Sequence, residues 1–397
     1  MKKFETNAIR SQAARSQNRE HSIPTYLTSS FMFDNAEHMR AMFAGEVSGN
    51  IYSRYSNPNT DELVKKVSIM EGAEAGFTTA SGMSAVFNSI VPFLKTGDHV
   101  IATRAVFGST HQILTQIFPR WNIDFTYVEP EDVESWKTAV QPNTKMLICE
   151  TPSNPGLTLV DLEAAGKFAK AHQLLFCVDN CFATPYLQQP IKYGADIVCH
   201  SGTKWMDGQG RVLGGIIVGK EALMGQIQLF IRHSGPAMSP FNAWIISKSL
   251  ETLAVRMDRH CANAEKIAHA FEKHTEVDRV LYPHHPSHPQ YKLAKKQMQL
   301  GGGIVTFEVK GGYERAKAFI DEIKMISLSS NLGDARSIIT HPASTTHSKL
   351  TEEERQSVGI TPGMIRLSVG LEHVDDMLGD LGQALAKSKI PVKQMVS

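Results

Sequence analysis

The amino-acid sequence predicts an α/β fold, a mostly parallel central sheet with helices on both faces, joined to a smaller α+β domain at the C-terminal end. Between about residue 58 and residue 250, short apolar runs alternate with helical patterns, as strands joined by crossover helices do. Polar residues, namely Thr103, Asn154, Asp179 and Lys204, gather just beyond these runs, and ligands of such sheets bind outside the carboxyl ends of the strands. A chain of 397 residues is also long enough for more than one core.

Residues 1–57 are rich in Ser, Asn and Arg and read as irregular, with Pro58 closing the stretch. Such a segment cannot build its own core, and we expect an arm that contacts a neighbouring subunit. Residues 58–250 form the expected large, ligand-binding domain. Its strands are read from His99-Val100-Ile101-Ala102, Met146-Leu147-Ile148-Cys149, Leu174-Leu175-Phe176-Cys177-Val178, Ile197-Val198-Cys199 and Gly214-Gly215-Ile216-Ile217-Val218. A long helical pattern from about Pro240 to His274 leads into the smaller domain, residues 251–397. There, Gly303-Ile304-Val305-Thr306-Phe307-Glu308-Val309 alternates like a half-exposed strand.

Lys204, in His200-Ser201-Gly202-Thr203-Lys204-Trp205, follows one of these runs and precedes a glycine-rich stretch from Gly208 to Gly219. A lysine at the mouth of a buried strand loses solvation, which disfavours the ammonium form and makes a nucleophilic amine accessible. Such an amine forms a Schiff base with an aldehyde, and pyridoxal phosphate is the commonest aldehyde cofactor. Taken alone, the segment reads equally well as a surface lysine after a strand. Asp179 closes the run Leu174–Val178, where an isolated aspartate is more often a helix cap. A pyridoxal enzyme, however, needs a carboxylate against the pyridine nitrogen to keep the ring an electron acceptor. The two residues would end successive strands.

Thr78-Thr79-Ala80-Ser81-Gly82-Met83-Ser84-Ala85 looks like a loop opening a helix. Free N–H groups at such a start bind phosphate, and Gly82 lets the anion approach closely; read alone, the pattern is an ordinary N-cap. Ser201 and Thr203 would add hydroxyl donors to the same phosphate. In the turn-rich segment Ile51-Tyr52-Ser53-Arg54-Tyr55-Ser56-Asn57-Pro58, Arg54 is a charged partner for phosphate, and Tyr52 could share it or touch substrate.

Together these residues resemble the Cys/Met-metabolism family of pyridoxal-phosphate enzymes, which holds cystathionine synthases and lyases, methionine γ-lyase and the acylhomoserine sulfhydrylases. The likeness runs nearly end to end, from Tyr52-Ser53-Arg54-Tyr55 to Arg366-Leu367-Ser368-Val369-Gly370-Leu371-Glu372, around Ser201-Gly202-Thr203-Lys204. It implies a fold-type-I transferase of the aspartate-aminotransferase kind, with pyridoxal 5'-phosphate on Lys204 and Asp179 at the ring nitrogen. Ser81, Gly82, Met83, Ser201 and Thr203 would hold the phosphate. Tyr52 and Arg54 would reach the cofactor of a neighbouring subunit, making a dimer the smallest active unit and a homotetramer the expected assembly. Arg366 matches the arginine that receives the substrate α-carboxylate, and Asn154 an asparagine near the cofactor's ring oxygen.

The departures narrow the expected reaction. Where family lyases and synthases carry a ring-stacking tyrosine in Tyr-Gly-Gly-Thr or Tyr-Gly-Cys-Thr, this chain reads Phe107-Gly108-Ser109-Thr110. Phe107 can stack on the cofactor but has no hydroxyl to move protons; ordinary core packing is the competing reading. Ser109 stands where methionine γ-lyases place a cysteine. Asn331-Leu332-Gly333-Asp334-Ala335-Arg336 replaces the Ser-Leu-Gly-Gly of many relatives, which leaves Asn331 at the second carboxylate contact. These features resemble the sulfhydrylase branch. The expected reaction is therefore γ-replacement on O-succinyl-L-homoserine by sulfide, giving L-homocysteine and succinate for methionine biosynthesis. Cystathionine γ-synthase and O-acetylhomoserine sulfhydrylase stay open as alternatives, the γ-lyases less so, and a non-catalytic scaffold least.

Net charge of +1 from 41 basic and 40 acidic residues gives no reason to expect nucleic-acid or membrane partners. The opening Met1-Lys2-Lys3-Phe4-Glu5-Thr6 is no secretory leader, and no apolar stretch reaches membrane-spanning length. Five cysteines without a Cys-x-x-Cys pair suit reduced cytoplasmic thiols. The histidines of Pro283-His284-His285-Pro286-Ser287-His288-Pro289 have no carboxylate or thiolate nearby in sequence. We read them as a solvated turn and expect no metal.

Overall fold

The computed structural model describes residues 2–346, 348 and 351–389; Met1 and residues 390–397, the outer ends of the two expected flanking units, lie outside them. Seven strands, β1 (Ala75–Thr79), β2 (His99–Thr103), β3 (Asp124–Val128), β4 (Thr144–Glu150), β5 (Leu175–Asp179), β6 (Ile197–Ser201) and β7 (Gly215–Gly219), form one sheet in the order β1-β7-β6-β5-β4-β2-β3. Only β7 runs against its neighbours; the β3-β2-β4-β5-β6 ladder is parallel. Each apolar run became a strand. β1 and β3, at the two edges, were not among those runs, because their residues are only partly buried and carry little apolar signal.

Side chains alternate across this sheet as the pleat requires. Val100, Ile148, Cys177, Cys199 and Ile217 share a core with the helices Gly82–Ile90 and Glu221–Ser234. Ile101, Leu147, Phe176, Val198 and Ile216 face the opposite way, onto the helices Pro58–Glu71 and Leu162–Ala171. The continuous apolar runs thus reflect a sheet covered on both faces.

The second sheet comprises β8 (Val277–Leu281), β9 (Ile304–Val309), β10 (Ser327–Leu328), β11 (Ile338–Thr340) and β12 (Met364–Ser368), in the order β10-β11-β12-β9-β8. Helices Leu253–Glu272, Gly312–Asp321 and Val374–Lys387 pack on one face of it. β9 is not half-exposed as its alternation predicts: five of its six residues are buried. Val305, Phe307 and Val309 meet those helices, while Ile304 belongs to the larger core and Thr306 donates its hydroxyl to the Pro155 carbonyl at 2.6 Å. The polar face of the strand is pressed against the first sheet's loops instead of water.

Three further expectations change. The pattern from Pro240 to His274 is two helices, Pro240–Leu250 and Leu253–Glu272. At the break, the buried Arg256 donates to the carbonyls of Ser249, Trp205 and Met206, which ties the junction to the segment just after Lys204. The N-terminal arm is not wholly irregular: it contains helices Phe4–Arg10 and Ala36–Phe43, the first held by Ala8 in the core and by Phe4 against Tyr186. The histidine loop is not solvated, for His284, His285 and His288 are only 6%, 1% and 4% exposed. Among the described residues no helix is long and apolar enough to cross a membrane.

Candidate active site

The carboxyl ends of β4, β5 and β6, with the turns after β1 and β2, enclose a cavity of about 1010 Å³. Of the residues assigned from sequence, all but Tyr52 and Arg54 line it. Thr103 does not; it is buried within the sheet.

Lys204 leaves β6 on a tight turn whose neighbours hold it closely. The Gly208 N–H donates to its carbonyl at 2.8 Å. Gly333, at φ +77, passes so near that a Cβ there would lie 2.6 Å from the Trp205 nitrogen and 2.8 Å from the Lys204 carbonyl carbon. The Lys204 amine donates to Asn331 Oδ1. Burial pushes its pKa below the ordinary lysine value, and the Arg366 charge adds to the shift.

Asp179 ends β5 opposite Glu150, which ends β4 in register with it. Glu150 was absent from the sequence reading; its signal was the same as that of Asp179, a carboxylate directly closing an apolar run. Asp179 Oδ1 accepts the Cys181 N–H at 3.0 Å, and Glu150 Oε2 accepts the Phe107 N–H at 2.6 Å. Neither is ion-paired among the described residues. Burial raises both carboxyls above their ordinary values, and the charge of Asp179 raises Glu150 further. Two adjacent carboxylates at the cavity floor fit a ligand bearing a ring N–H⁺. Cys181, also on the wall, has its thiol pushed up by burial, so it is no thiolate nucleophile.

Ser81 caps the helix Gly82–Ile90, its hydroxyl accepting the Ser84 N–H at 3.2 Å. A Cβ on Gly82 would lie 2.6 Å from Ser201 Cβ, so the helix start and the end of β6 converge as a cradle that only glycine permits. The helix-start N–H groups have no partners within the helix, which suits a phosphate. Thr203 lines the cradle and also accepts the Gly214 N–H at 3.1 Å.

Arg366, on β12, is 1% exposed. It donates to Asn154 Oδ1 at 3.1 Å and to the Ser330 and Asn331 carbonyls at 3.1 and 2.9 Å. Its Nε has no acceptor, and no carboxylate pairs with it among the described residues. Burial pushes its pKa down to about 10. A buried guanidinium held only by neutral oxygens is prepared for an incoming carboxylate. Amine, carboxylates, amide cradle and guanidinium together fit pyridoxal phosphate with an amino-acid substrate.

Tyr52 and Arg54 lie elsewhere. Arg54 hydrogen-bonds the Arg232 carbonyl, stacks over Tyr55 at 4.8 Å and lines a separate cavity of about 560 Å³.

A match to the family described as Cys/Met metabolism PLP-dependent enzyme spans residues 5–386. The chain is 45% identical over 383 residues to the O-succinylhomoserine sulfhydrylase of Pseudomonas aeruginosa, across 96% of this chain and 95% of that protein. It is 42% identical over 385 residues to the L-methionine gamma-lyase of Fusobacterium nucleatum subsp. nucleatum, across 96% and 98%. A crystal structure from Campylobacter jejuni that carries N'-pyridoxyl-lysine-5'-monophosphate matches with a TM-score of 0.93 at 34% identity, covering 96% of this chain and 99% of that one.

Proposed function

Because the chain belongs to the Cys/Met metabolism PLP-dependent enzyme family and has its fold-type-I architecture, we propose that it replaces the γ-succinyloxy group of O-succinyl-L-homoserine with sulfide. The products are L-homocysteine and succinate, and the role is in methionine biosynthesis. The observation that carries this reading is Phe107 on the cavity wall, its backbone held by Glu150. A side chain without a hydroxyl cannot hand a proton to a leaving group, and a departing carboxylate needs little acid assistance. The Pseudomonas aeruginosa relative supports the same choice.

Bound pyridoxal phosphate supplies the electron sink that makes the substrate α-proton acidic. The protein's residues do the rest. Lys204 would hold the cofactor and would move protons at the substrate with an amine whose ammonium form burial disfavours. Asp179 would set its charge against the ring nitrogen, and Ser81, Gly82, Met83, Ser201 and Thr203 would hold the phosphate. Arg366 presents its fork to the substrate carboxylate, with Asn154 and the Asn331 carbonyl fixing the guanidinium plane. Asn331 Oδ1 steadies the lysine amine. Tyr52 and Arg54 act across a dimer, on the partner's cofactor phosphate. The exposed Leu27, Met32 and Phe43 of the arm offer it apolar surface for that contact, and two such dimers make the tetramer. Five unpaired cysteines support a cytoplasmic setting.

The L-methionine gamma-lyase relative favours γ-elimination as a second reading. Steady-state rates with O-succinyl- and O-acetylhomoserine, each against sulfide and cysteine, plus methionine alone, separate the two. We expect the succinyl ester with sulfide to be fastest. Faster formation of cystathionine from cysteine replaces the reading with a synthase, and comparable release of 2-oxobutyrate from methionine replaces it with a lyase. Preference for the acetyl ester keeps the chemistry and overturns the substrate.

A further inference from the structure

A second group of ligating side chains lies away from the cavity, at the end of the helix Leu253–Glu272. His269 and Glu272 sit about one turn apart on that helix, both exposed, and the buried His285 comes from the loop after β8. His285 Nε2 lies 3.0 Å from His269 Nδ1 and 3.1 Å from Glu272 Oε2, and all three ligand atoms fall within 4.8 Å of one another. None of the three lines the catalytic cavity. We propose that His269, Glu272 and His285 bind a divalent metal ion of the zinc class, clasping the end of this helix to the 283–290 loop.

The residue types suit the ion. Two imidazoles and one carboxylate, with a fourth position left to water, form a tetrahedral set for zinc. Bonds of the usual length would hold such ligand atoms roughly 3.3 Å apart, so the observed spacings need only small side-chain rotations. Residues three apart on a helix share a face, which aims His269 and Glu272 at the same point. The opposite ring nitrogen of His285, Nδ1, lies 2.7 Å from Ser287 Oγ and accepts the Ser287 N–H at 3.3 Å, contacts that hold the ring in place.

The consequence is structural. The same loop carries Gln290, whose Oε1 accepts the Leu159 N–H at 2.7 Å and whose Nε2 donates to the Leu159 carbonyl at 2.6 Å. A metal clasp on this loop therefore braces the segment after β4 that carries Asn154.

The test uses the holoenzyme, treated with chelator, desalted and titrated with zinc chloride by calorimetry, beside His269→Ala and Glu272→Gln. Both positions are exposed, so the substitutions spare the core. We expect one zinc ion per chain, affinity weakened at least about tenfold in either variant, a zinc-dependent rise in melting temperature in the unsubstituted protein only, and an unchanged cofactor absorption band. No zinc binding, affinity in both variants equal to that of the unsubstituted protein, or loss in only one of them overturns the three-ligand site.

Discussion

The carboxyl edge of the large sheet and the loop from Pro283 to Gln290 both bury titratable groups, and they differ in how the chain assembles them. At the sheet edge, Glu150, Asp179 and Lys204 each stand at or just past the end of a strand. Parallel strands finish along one line, so residues far apart in sequence meet without further instruction. In the loop, burial comes from distant partners. His284 meets the Ala294 carbonyl at 3.3 Å, and His285 meets His269 and Glu272. The sheet edge gathers its polar groups from strand ends that face one cavity, whereas the loop between β8 and the helix Tyr291–Gln297 gathers its own by packing against the end of the helix Leu253–Glu272. Burial alone therefore does not mark a catalytic group; burial at a strand end, facing a cavity, does.

The sharpest way to break that contrast is at Lys204. Lys204→Ala should abolish turnover while the phosphate contacts still retain the cofactor, read as a shifted visible band. Borohydride reduction and peptide mapping of the unsubstituted protein should place the pyridoxyl group on Lys204; label on another lysine would sink the assignment. Asp179→Asn removes the charge at the sheet edge and leaves the fold. Preorganised electrostatic groups of this kind are worth ~2.7–4 kcal/mol, about 10²–10³ in kcat. Near-normal turnover would reduce Asp179 to a helix cap.

Arg366→Lys keeps the charge but loses the fork, so kcat/KM should fall by about 10- to 100-fold, the worth of ~1.5–3 kcal/mol for a hydrogen bond to a charged group. Cofactor affinity should not change. Release of cofactor instead would put Arg366 at the phosphate.

The smallest effect lies in the loop and bears on stability, not catalysis. Burial lowers His288 to about 4 from its ordinary 6.5, and its Nδ1 accepts the Gln290 N–H at 3.1 Å. From pH 6.5 down to 4, the unfolded chain binds a proton that the folded chain refuses, so stability falls as the pH drops through this window. The loss from this one group is ~2 kcal/mol by pH 5. Denaturant melts at pH 7 and pH 5 should differ less in His288→Asn than in the unsubstituted protein, and equal differences would remove His288 from the acid response.

The strands were legible because apolar runs buried on both faces need no knowledge of their neighbours, and Asp179 and Lys204 were legible because they close such runs. Ser81-Gly82-Met83 was readable as a helix start for the same local reason. Glu150 closes an apolar run just as Asp179 does, but its importance depends on facing Asp179 across a strand pair, which local sequence does not show. What the chain order alone could not supply was apposition. Arg366 meets Asn154 only because β12 turns its polar side toward the first sheet, and β9 is buried on both faces by that same packing. The histidine loop looks like a solvated turn until the end of the helix Leu253–Glu272 is folded against it. Local pattern determines which segments become strands and which residues end them. The docking of the two sheets decides which polar groups lose water and which partners they find, because desolvation and hydrogen bonding depend on three-dimensional neighbours.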